Sequence, residues 1–228
     1  METPEGVVAW IEARLRAAGD PARAVQEQRY LKSSRPFYGC GVPAVRRVAK
    51  SAIAEFGIGT RDALEPVVEA LWAGEPFENR MVAIEMLVLR LALLGRDDLR
   101  WLRRWIAAGE TWALVDRLST AVAGDLVSRD PLGAEVVLDC WAVDESFWVR
   151  RASMLALLPS LRVSDDRWGQ FCRYAEALMD EREFFVRKAI GWVTREVAKR
   201  RPDTARPWVE AQLGRMSSVT RREAIKYL

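Results

Sequence analysis

The sequence predicts an all-α protein, a superhelix (solenoid) of HEAT-like helical repeats with a concave basic face, on three observations. Almost every segment has the apolar spacing of an amphipathic helix. The strict alternation of strands and the Asn-Gly or Asp-Gly turns of hairpins are both missing from the sequence. A short arginine-containing motif recurs with a period of about 35 residues, which is typical of stacked helix pairs.

The predicted helices follow one another with short breaks. Gly19-Asp20-Pro21 separates a first helix, over about 4–18, from a second, over about 21–32. A loop with Pro36 and Gly39 spans 33–42, and Thr60 is a good N-cap for a later helix. Similar turn signals divide the remaining chain, so that we expect about a dozen helices in all. These signals are Gly74-Glu75-Pro76, Gly95-Arg96-Asp97, Ala108-Gly109-Glu110, Asp130-Pro131, Pro159-Ser160, Ser164-Asp165, Arg201-Pro202-Asp203 and Gly214 to Ser218.

The repeated motif places an arginine near the start of the second helix of each predicted pair. Arg80, Arg150, Arg187 and Arg222 are separated by 70, 37 and 35 residues, and Arg46 precedes Arg80 by 34. A missing copy is expected near residue 115. Second helices line the inner face of such solenoids, which predicts a basic stripe for binding a polyanion. The stripe consists of Arg46, Arg47, Arg80, Arg150, Arg151, Arg187, Lys188 and Arg222. For each of them the alternative is an ion pair that braces the neighbouring repeat.

Length and composition predict one domain over residues 1–228 and a cytoplasmic location. No long apolar run suggests a transmembrane helix, and residues 1–6 lack the basic and apolar regions of a signal peptide. The net charge of +3 is too small to demonstrate a polyanionic partner. Arginine outnumbers lysine, which suits bidentate phosphate binding but also fits a GC-rich genome.

The chain contains no histidine, and its three cysteines, Cys40, Cys140 and Cys172, are far apart. We therefore expect no metal site, no cofactor, and buried free thiols at all three positions. Catalysis of the Ser-His-Asp or Cys-His type is excluded. Any acid or base must be Asp, Glu, Lys, Tyr or water.

The stretch from Thr111 to Asp116 lies where the missing copy of the repeat is expected. Trp112 and Asp116 are four residues apart and so occupy one face of a helix. An aromatic plane beside a carboxylate could stabilise a positively charged sugar carbon. The alternative is a buried tryptophan followed by an aspartate that stabilises the helix start.

An ordered set of motifs resembles the AlkD-like DNA glycosylases over nearly the whole chain. The set comprises Arg29 to Lys32, Pro36 to Gly39, Pro43 to Arg47, Trp112 to Asp116, Phe147 to Ala152, Phe184 to Val193 and Arg222 to Lys226. The resemblance implies a HEAT-like superhelix that binds duplex DNA and releases cationic N3- and N7-alkylated purines. It further implies a reactive cleft formed by Trp112, Asp116, Arg151 and Trp192. The family leaves the damaged base stacked or facing solvent.

The chemistry expected from these residues needs no general acid, because a cationic purine leaves without a proton. Asp116 would stabilise an oxocarbenium-like sugar and orient water. Trp112 and Trp192 would flank the deoxyribose, and Arg151 would hold a phosphate. The motif contains no lysine, so we expect neither a Schiff base nor strand cleavage.

The expected partner is double-stranded DNA with alkylated purines, bound by a monomer away from any membrane. The residues expected to contact DNA are Tyr30, Lys32, Arg46, Arg47, Arg80, Arg150, Arg187, Lys188 and Arg222. Tyr30 and Lys32 would lie near the strand opposite the lesion. Arg46 and Arg47 would bind phosphate near a helix N-terminus. The alternatives are a non-enzymatic protein that binds distorted or branched DNA and, less favoured, a scaffold for other proteins.

Overall fold

A computed structural model describes residues 2–228, and within that range the chain forms helices and no strands. The all-α class predicted from the sequence is thus confirmed. The first helices are α1 (Pro4–Ala18), α2 (Pro21–Leu31), α3 (Val42–Glu55), α4 (Arg61–Ala73) and α5 (Phe77–Leu89). Then come α6 (Asp98–Ala107), α7 (Trp112–Arg117), α8 (Gly124–Arg129), α9 (Pro131–Ala142), α10 (Phe147–Leu155) and α11 (Leu158–Leu161). The last are α12 (Trp168–Ala177), α13 (Phe184–Ala198), α14 (Pro202–Gln212) and α15 (Ser218–Ala224).

The chain divides into two compact units, one that ends at Leu94 and one that runs from Gly95 to Leu228. The first unit contains α1 to α5 and the second contains α6 to α15. Each unit has its own apolar core, and the predicted organisation as one domain stays a prediction. In the described residues, no helix is both long and apolar enough to cross a membrane.

Side-chain caps account for the helix starts that the sequence predicted. The Thr3 hydroxyl accepts a hydrogen bond from the backbone N–H of Gly6, and α1 spans the predicted residues. Asp20 caps α2 through the N–H groups of the first turn, and Thr60 caps α4. Because four N–H groups at each helix start lack intrahelical partners, such caps set where a helix begins.

In the first unit, a buried carboxylate holds the loop before α3. Glu78 on α5 is fully buried and accepts hydrogen bonds from the backbone N–H groups of Tyr38, Gly39 and Cys40 at 3.1, 2.7 and 2.9 Å. Gly39 has a φ of +81°, and a side chain there would collide with the carbonyl oxygen of Asp20. The three N–H groups satisfy the carboxylate that burial removes from water.

In the second unit, α13 packs closely against α15. A Cβ atom at Gly191 would lie 2.7 Å from the carbonyl oxygen of Thr220, so the close approach requires glycine. The Thr220 hydroxyl donates to the carbonyl oxygen of Arg187 at 3.0 Å. The alanines that follow the repeated arginines, Ala152, Ala189 and Ala224, are fully buried. Small side chains at these positions let the helices approach one another.

The repeated arginines lie near helix starts, as the motif predicted. Arg46 is in α3, Arg80 in α5, Arg150 in α10, Arg187 in α13 and Arg222 in α15. The HEAT-type assignment itself stays a prediction. The expectation for the cysteines was only partly right, because Cys40 is buried, Cys172 is half-buried and Cys140 is exposed. Cys140 lies on the outward face of α9, where the apolar pattern did not distinguish the two faces.

Candidate active site

The candidate site begins at α7, where Trp112 and Asp116 lie one turn apart. Leu114 and Val115 of the same helix are buried, whereas Trp112 and Asp116 are only half-buried. The apolar residues turn one side of α7 into the core, so the other side carries the indole and the carboxylate. The i, i+4 spacing that the sequence showed is therefore realised in a helix.

Arg151 on α10 holds the carboxylate of Asp116 with a two-pronged salt bridge. Its Nε donates to Oδ1 at 2.7 Å, and its second terminal nitrogen donates to Oδ2 at 2.8 Å. The remaining nitrogen, Nη1, donates to the carbonyl oxygen of Phe185. The Arg151 side chain is only 3% exposed, whereas that of Asp116 is 17% exposed. The pair thus presents the carboxylate to solvent and keeps the guanidinium inside.

Aromatic rings surround the guanidinium of Arg151. Its carbon lies 5.8 Å from the ring centroid of Trp192 and 5.9 Å from that of Phe185. Both distances lie within the range of cation–π attraction. Trp192 is half-buried and follows Gly191, where α13 and α15 approach each other closely. The structure therefore brings Asp116, Arg151 and Trp192 together, with Trp112 one turn before Asp116.

The helix that carries Asp116 widens directly after it. Residues Leu118–Ala123 are π-helical, and the N–H of Gly124 bonds to the carbonyl oxygen of Ser119, five residues back. The Thr120 hydroxyl donates to the carbonyl oxygen of Asp116 at 2.7 Å. Single π-helical turns inside α-helices often occur at functional sites. No sequence pattern predicted this turn.

The predicted role of Arg151 as a phosphate ligand does not agree with its position. The side chain is buried, and the contacts to Asp116 and Phe185 occupy each of its three nitrogens. A phosphate would have to displace these contacts. Arg151 is instead placed to orient the carboxylate. The carbonyl oxygen of Phe185 is a site feature that the sequence did not reveal, because a backbone acceptor leaves no residue signature.

Several of the residues predicted to contact DNA make bracing contacts. Arg80 is buried, with its Nε donating to the Trp72 carbonyl oxygen at 3.0 Å and its guanidinium over the Trp72 ring. Arg150 pairs with Glu181 at 2.6 Å. The contacts of these two arginines match the bracing alternative, because their guanidinium groups are directed into the protein.

At α13 the predicted contact residues are also engaged within the protein. Arg187 donates to the carbonyl oxygen of Arg182 at 2.7 Å, and Lys188 pairs with Glu223 at 3.1 Å. Burial alone would raise the pKa of Glu223, but Lys188 and Arg195 outweigh it and lower that pKa. Lys188 remains partly exposed, so its ammonium group still reaches solvent.

The other predicted contact residues are exposed. Tyr30 is 71% exposed, and Lys32 is exposed at the end of α2. Arg46 is exposed although it lies 3.3 Å from Glu85, and Arg47 is exposed beside it. In the second unit Arg222 is exposed on α15. These side chains are accessible to a ligand.

Fold and site define a class: an all-helical protein in which a buried arginine presents a carboxylate beside aromatic rings. A family model described as DNA alkylation repair enzyme matches residues 11–228 of the chain. The chain therefore belongs to the DNA alkylation repair enzyme family. No curated protein sequence is significantly similar to it.

Solved structures share the fold. A structure described as a predicted DNA alkylation repair enzyme from Enterococcus faecalis is similar with a TM-score of 0.82 and 21% identity, over 92% of this chain and 96% of that one. AlkD2 from Streptococcus mutans is similar with a TM-score of 0.71 and 15% identity, over 99% of each chain. At these identities the likeness supports the fold, and the roles of individual residues must be argued from the site.

Proposed function

We propose that the protein is a monofunctional DNA glycosylase that hydrolyses the N-glycosidic bond of cationic N3- and N7-alkylated purines in duplex DNA. The observation that carries the proposal is the half-exposed carboxylate of Asp116, fixed by Arg151 beside Trp192. Membership of a DNA alkylation repair family supports the substrate class. A DNA substrate also agrees with the cytoplasmic location and the monomeric state expected from the sequence.

The chemistry suits a chain without histidine. An alkylated purine already carries a positive charge, so it leaves the sugar without being protonated. The deoxyribose then develops oxocarbenium character, which a nearby carboxylate stabilises electrostatically. Each oxygen of Asp116 keeps a second lone pair after bonding to Arg151, and that lone pair can orient the attacking water.

Arg151 acts in this proposal as a positioning residue. Two of its nitrogens bind the two oxygens of Asp116 and fix the orientation of the carboxylate. Its third nitrogen donates to the carbonyl oxygen of Phe185. Bidentate pairing restricts the carboxylate more than a single hydrogen bond does. The position of the carboxylate is thereby set before DNA binds, which lowers the cost of reorganisation during bond cleavage.

The two indoles would flank the sugar and its neighbouring backbone. Trp192 lies beside the guanidinium of Arg151, and Trp112 lies one turn before Asp116. The faces of indole rings attract cations, so they favour the developing charge on the sugar. Because this set contains no lysine, we expect the reaction to form no Schiff base and to leave the strand intact.

The exposed residues Tyr30, Lys32, Arg46 and Arg47 are proposed to contact the DNA backbone from the first unit. Lys188, which is partly exposed, and Arg222 are proposed to do so from the second. Arg80, Arg150 and Arg187 are proposed to support these contacts indirectly, through the helices that they brace.

One observation favours the alternative, a non-enzymatic protein that binds damaged or branched DNA. The pair of Arg151 and Asp116 resembles the bracing pair of Arg150 and Glu181, which lies one residue away on the same helix. If the pair of Arg151 and Asp116 only stabilised the fold, the carboxylate would take no part in a reaction. The two possibilities make different predictions for a neutral substitution of Asp116. Only the glycosylase proposal predicts that the substitution slows base release.

The test compares Asp116→Asn with Glu181→Gln, because each variant removes a carboxylate that holds an arginine of α10. Release of 7-methylguanine from methylated duplex DNA is measured under single-turnover conditions. Asp116→Asn should slow release by about 100-fold or more, as expected when a preorganised electrostatic group is lost. Glu181→Gln should keep release within about 3-fold, since only the brace is weakened.

Binding to undamaged duplex and circular dichroism serve as the controls. Both variants should bind DNA and stay helical, and Asp116→Glu should lose release with its charge retained, because the carboxylate moves by one methylene. Release by Asp116→Asn at the wild-type rate would contradict the role proposed for Asp116, and no release by the wild type would contradict the glycosylase proposal. DNA binding without release would then favour the alternative.

A further inference from the structure

A basic groove lies on the surface of α15. It has a volume of about 490 Å³ and is lined by Met216, Ser218, Arg221, Arg222 and Ile225. We call it the α15 groove. Ser218 lies three and four residues before the two arginines, so its hydroxyl shares one side of the helix with them. Met216 and Ile225 add apolar walls.

The two arginines of the α15 groove carry positive charge that no carboxylate of the described residues contacts directly. Over residues 2–228, neither Arg221 nor Arg222 forms a salt bridge or a side-chain hydrogen bond, and both are exposed. The adjacent carboxylate of Glu223 is directed to Lys188 and Arg195 on α13. Its salt bridges therefore hold the helices together, and the charge of Arg222 acts on it only as a further cause that lowers its pKa.

The α15 groove has a fixed position relative to Trp192. Both salt bridges of Glu223 tie α15 to α13, and Gly191 lets the two helices touch at Thr220. Trp192 directly follows that contact point. An anion held in the groove would therefore be positioned with respect to the candidate active site and not on an independently moving segment.

Two guanidinium groups and a hydroxyl match the chemistry of a phosphodiester. Guanidinium groups donate paired hydrogen bonds to phosphate oxygens, and the hydroxyl adds a third donor. The apolar walls suit the carbon face of a sugar next to the phosphate. A DNA backbone offers both groups, whereas inorganic phosphate offers only the anion.

We propose that Ser218, Arg221 and Arg222 bind a backbone phosphate of duplex DNA in the α15 groove. The inference rests on the proposed function, since it assumes that DNA is the substrate. It adds Ser218 and Arg221 to the DNA-contacting residues and gives Arg222 a defined ligand. Binding there holds the duplex at the end of the second unit while the sugar reacts.

The experiment measures affinity for an undamaged duplex at several salt concentrations. Removal of one arginine–phosphate interaction lowers the slope of log affinity against log salt concentration by about 1. Arg221→Gln and Arg222→Gln should each show this decrease, and the double variant should show about 2. Ser218→Ala should weaken binding by about 2- to 10-fold at every salt concentration, with no change of slope, because the hydrogen bond it removes is uncharged.

Arg100→Gln is the matched control, because Arg100 is an exposed arginine on α6 that lies outside the predicted basic stripe. Its slope should equal that of the wild type. The inference is overturned if the α15 double variant keeps the wild-type slope. It is also overturned if calorimetry detects inorganic phosphate in the groove while the salt dependence of DNA binding is unchanged, since the ligand is then a free anion.

The outcome is independent of the test of the glycosylase reaction. The salt slope is measured on undamaged DNA, so it decides the α15 groove even if the wild type releases no base. Conversely, the double variant should need a higher enzyme concentration than the wild type to reach half-maximal release of 7-methylguanine, because its affinity for DNA is lower. Loss of release with an unchanged slope would contradict a role in backbone binding.

Discussion

Two consecutive arginines on α10 form similar salt bridges on different sides of the helix, with different consequences. Arg150 pairs with Glu181 at 2.6 Å and also donates to the carbonyl oxygens of Asp144 and Glu145 at 2.7 and 2.9 Å. It therefore closes the turn that leads into its own helix. Arg151 reaches Asp116 and Phe185, which belong to other helices.

The difference shows that the location of an arginine–carboxylate salt bridge determines its role. Arg150 donates to backbone oxygens of the turn before α10 and pairs with Glu181 before α13, so it braces these two segments. The guanidinium of Arg151 lies beside the rings of Trp192 and Phe185, and its carboxylate partner is 17% exposed, close to the 16% of Glu181. A salt bridge alone thus does not identify a functional site. The side of the helix and the aromatic rings beside the arginine do.

The largest effect should come from Arg151→Lys, with Arg150→Lys for comparison. Lysine keeps the positive charge but cannot donate the paired hydrogen bonds with which arginine binds a carboxylate. We expect Arg151→Lys to lower the rate of base release by about 100-fold, because a shift of about 1 Å in a reacting group has that effect. Arg150→Lys should change it by less than about 3-fold, because its carboxylate does not face the site. Single-turnover rates measure both.

Because Arg151 is a positioning residue, the loss should fall on the rate at saturating enzyme and not on DNA affinity. If Arg151→Lys and Arg150→Lys slowed base release equally, the two sides of α10 would not differ in function. A loss confined to affinity would instead return Arg151 to the phosphate-binding role first expected from the family resemblance.

The next largest effect is on stability. Glu181→Gln leaves the guanidinium of Arg150 without its charged partner in a largely buried position. Charge-assisted hydrogen bonds of this kind stabilise a fold by about 1.5–3 kcal/mol, and we expect a decrease in the free energy of unfolding of that size. Chemical denaturation followed by circular dichroism checks it. An unchanged midpoint would contradict the bracing role of Arg150.

A smaller effect is expected in the dependence of stability on pH. Burial alone would raise the pKa of Glu181, but hydrogen bonds from Arg150 and from the N–H groups of Arg182 and Glu183 outweigh it. The pKa is therefore lowered from its ordinary value of 4.5. The folded state binds fewer protons than the unfolded state in this range, so this stabilisation is present above pH 4.5 and is lost as the pH falls through the folded pKa.

Denaturation curves for the wild type and Glu181→Gln between about pH 3 and pH 6 test this sign. The difference in unfolding free energy between the two should shrink as the solution becomes more acidic. A difference that grows on acidification would mean that the pKa of Glu181 is raised in the folded protein, which the geometry does not support.

The smallest effect should come from Trp192→Phe, which keeps an aromatic ring beside Arg151 but weakens its attraction for cations. Cation–π interactions at partly exposed sites contribute about 0.5–1 kcal/mol, equivalent to about a 2- to 5-fold slower release of base. Phe185 retains its ring near the guanidinium and partly compensates. A loss comparable to that of Asp116→Asn would show that the indole has a more direct part in the reaction.

Local signals explain why many helix boundaries could be predicted. Thr3, Asp20 and Thr60 accept hydrogen bonds from N–H groups of the first turn, and such caps act within three residues along the chain. The order of Trp112, Asp116, Arg151 and Trp192 was likewise visible, because residue types and spacing are properties of the sequence. The family resemblance rested on a longer ordered set of motifs and implied these four residues as the site.

Partners that are distant in sequence could not be predicted in the same way. Arg151 lies 35 residues from Asp116, and Glu78 lies 39 residues from the N–H of Gly39. The sequence left both bracing and phosphate binding open for each arginine of the repeat. Which alternative holds depends on the rotation of one helix against the next, and small packing residues such as Gly191 set that rotation.

The sequence by itself determined that this chain is helical and where several of its helices begin. These properties follow from contacts and periodicities within a few turns of one helix. The residues expected to act on a glycosidic bond followed from the family resemblance and stay a prediction. The tertiary structure alone decided that Arg151 points inward to Asp116 while Arg150 and Arg80 brace the fold. It did so because a salt bridge forms only where packing brings two distant side chains within hydrogen-bonding distance, and no local pattern encodes that distance.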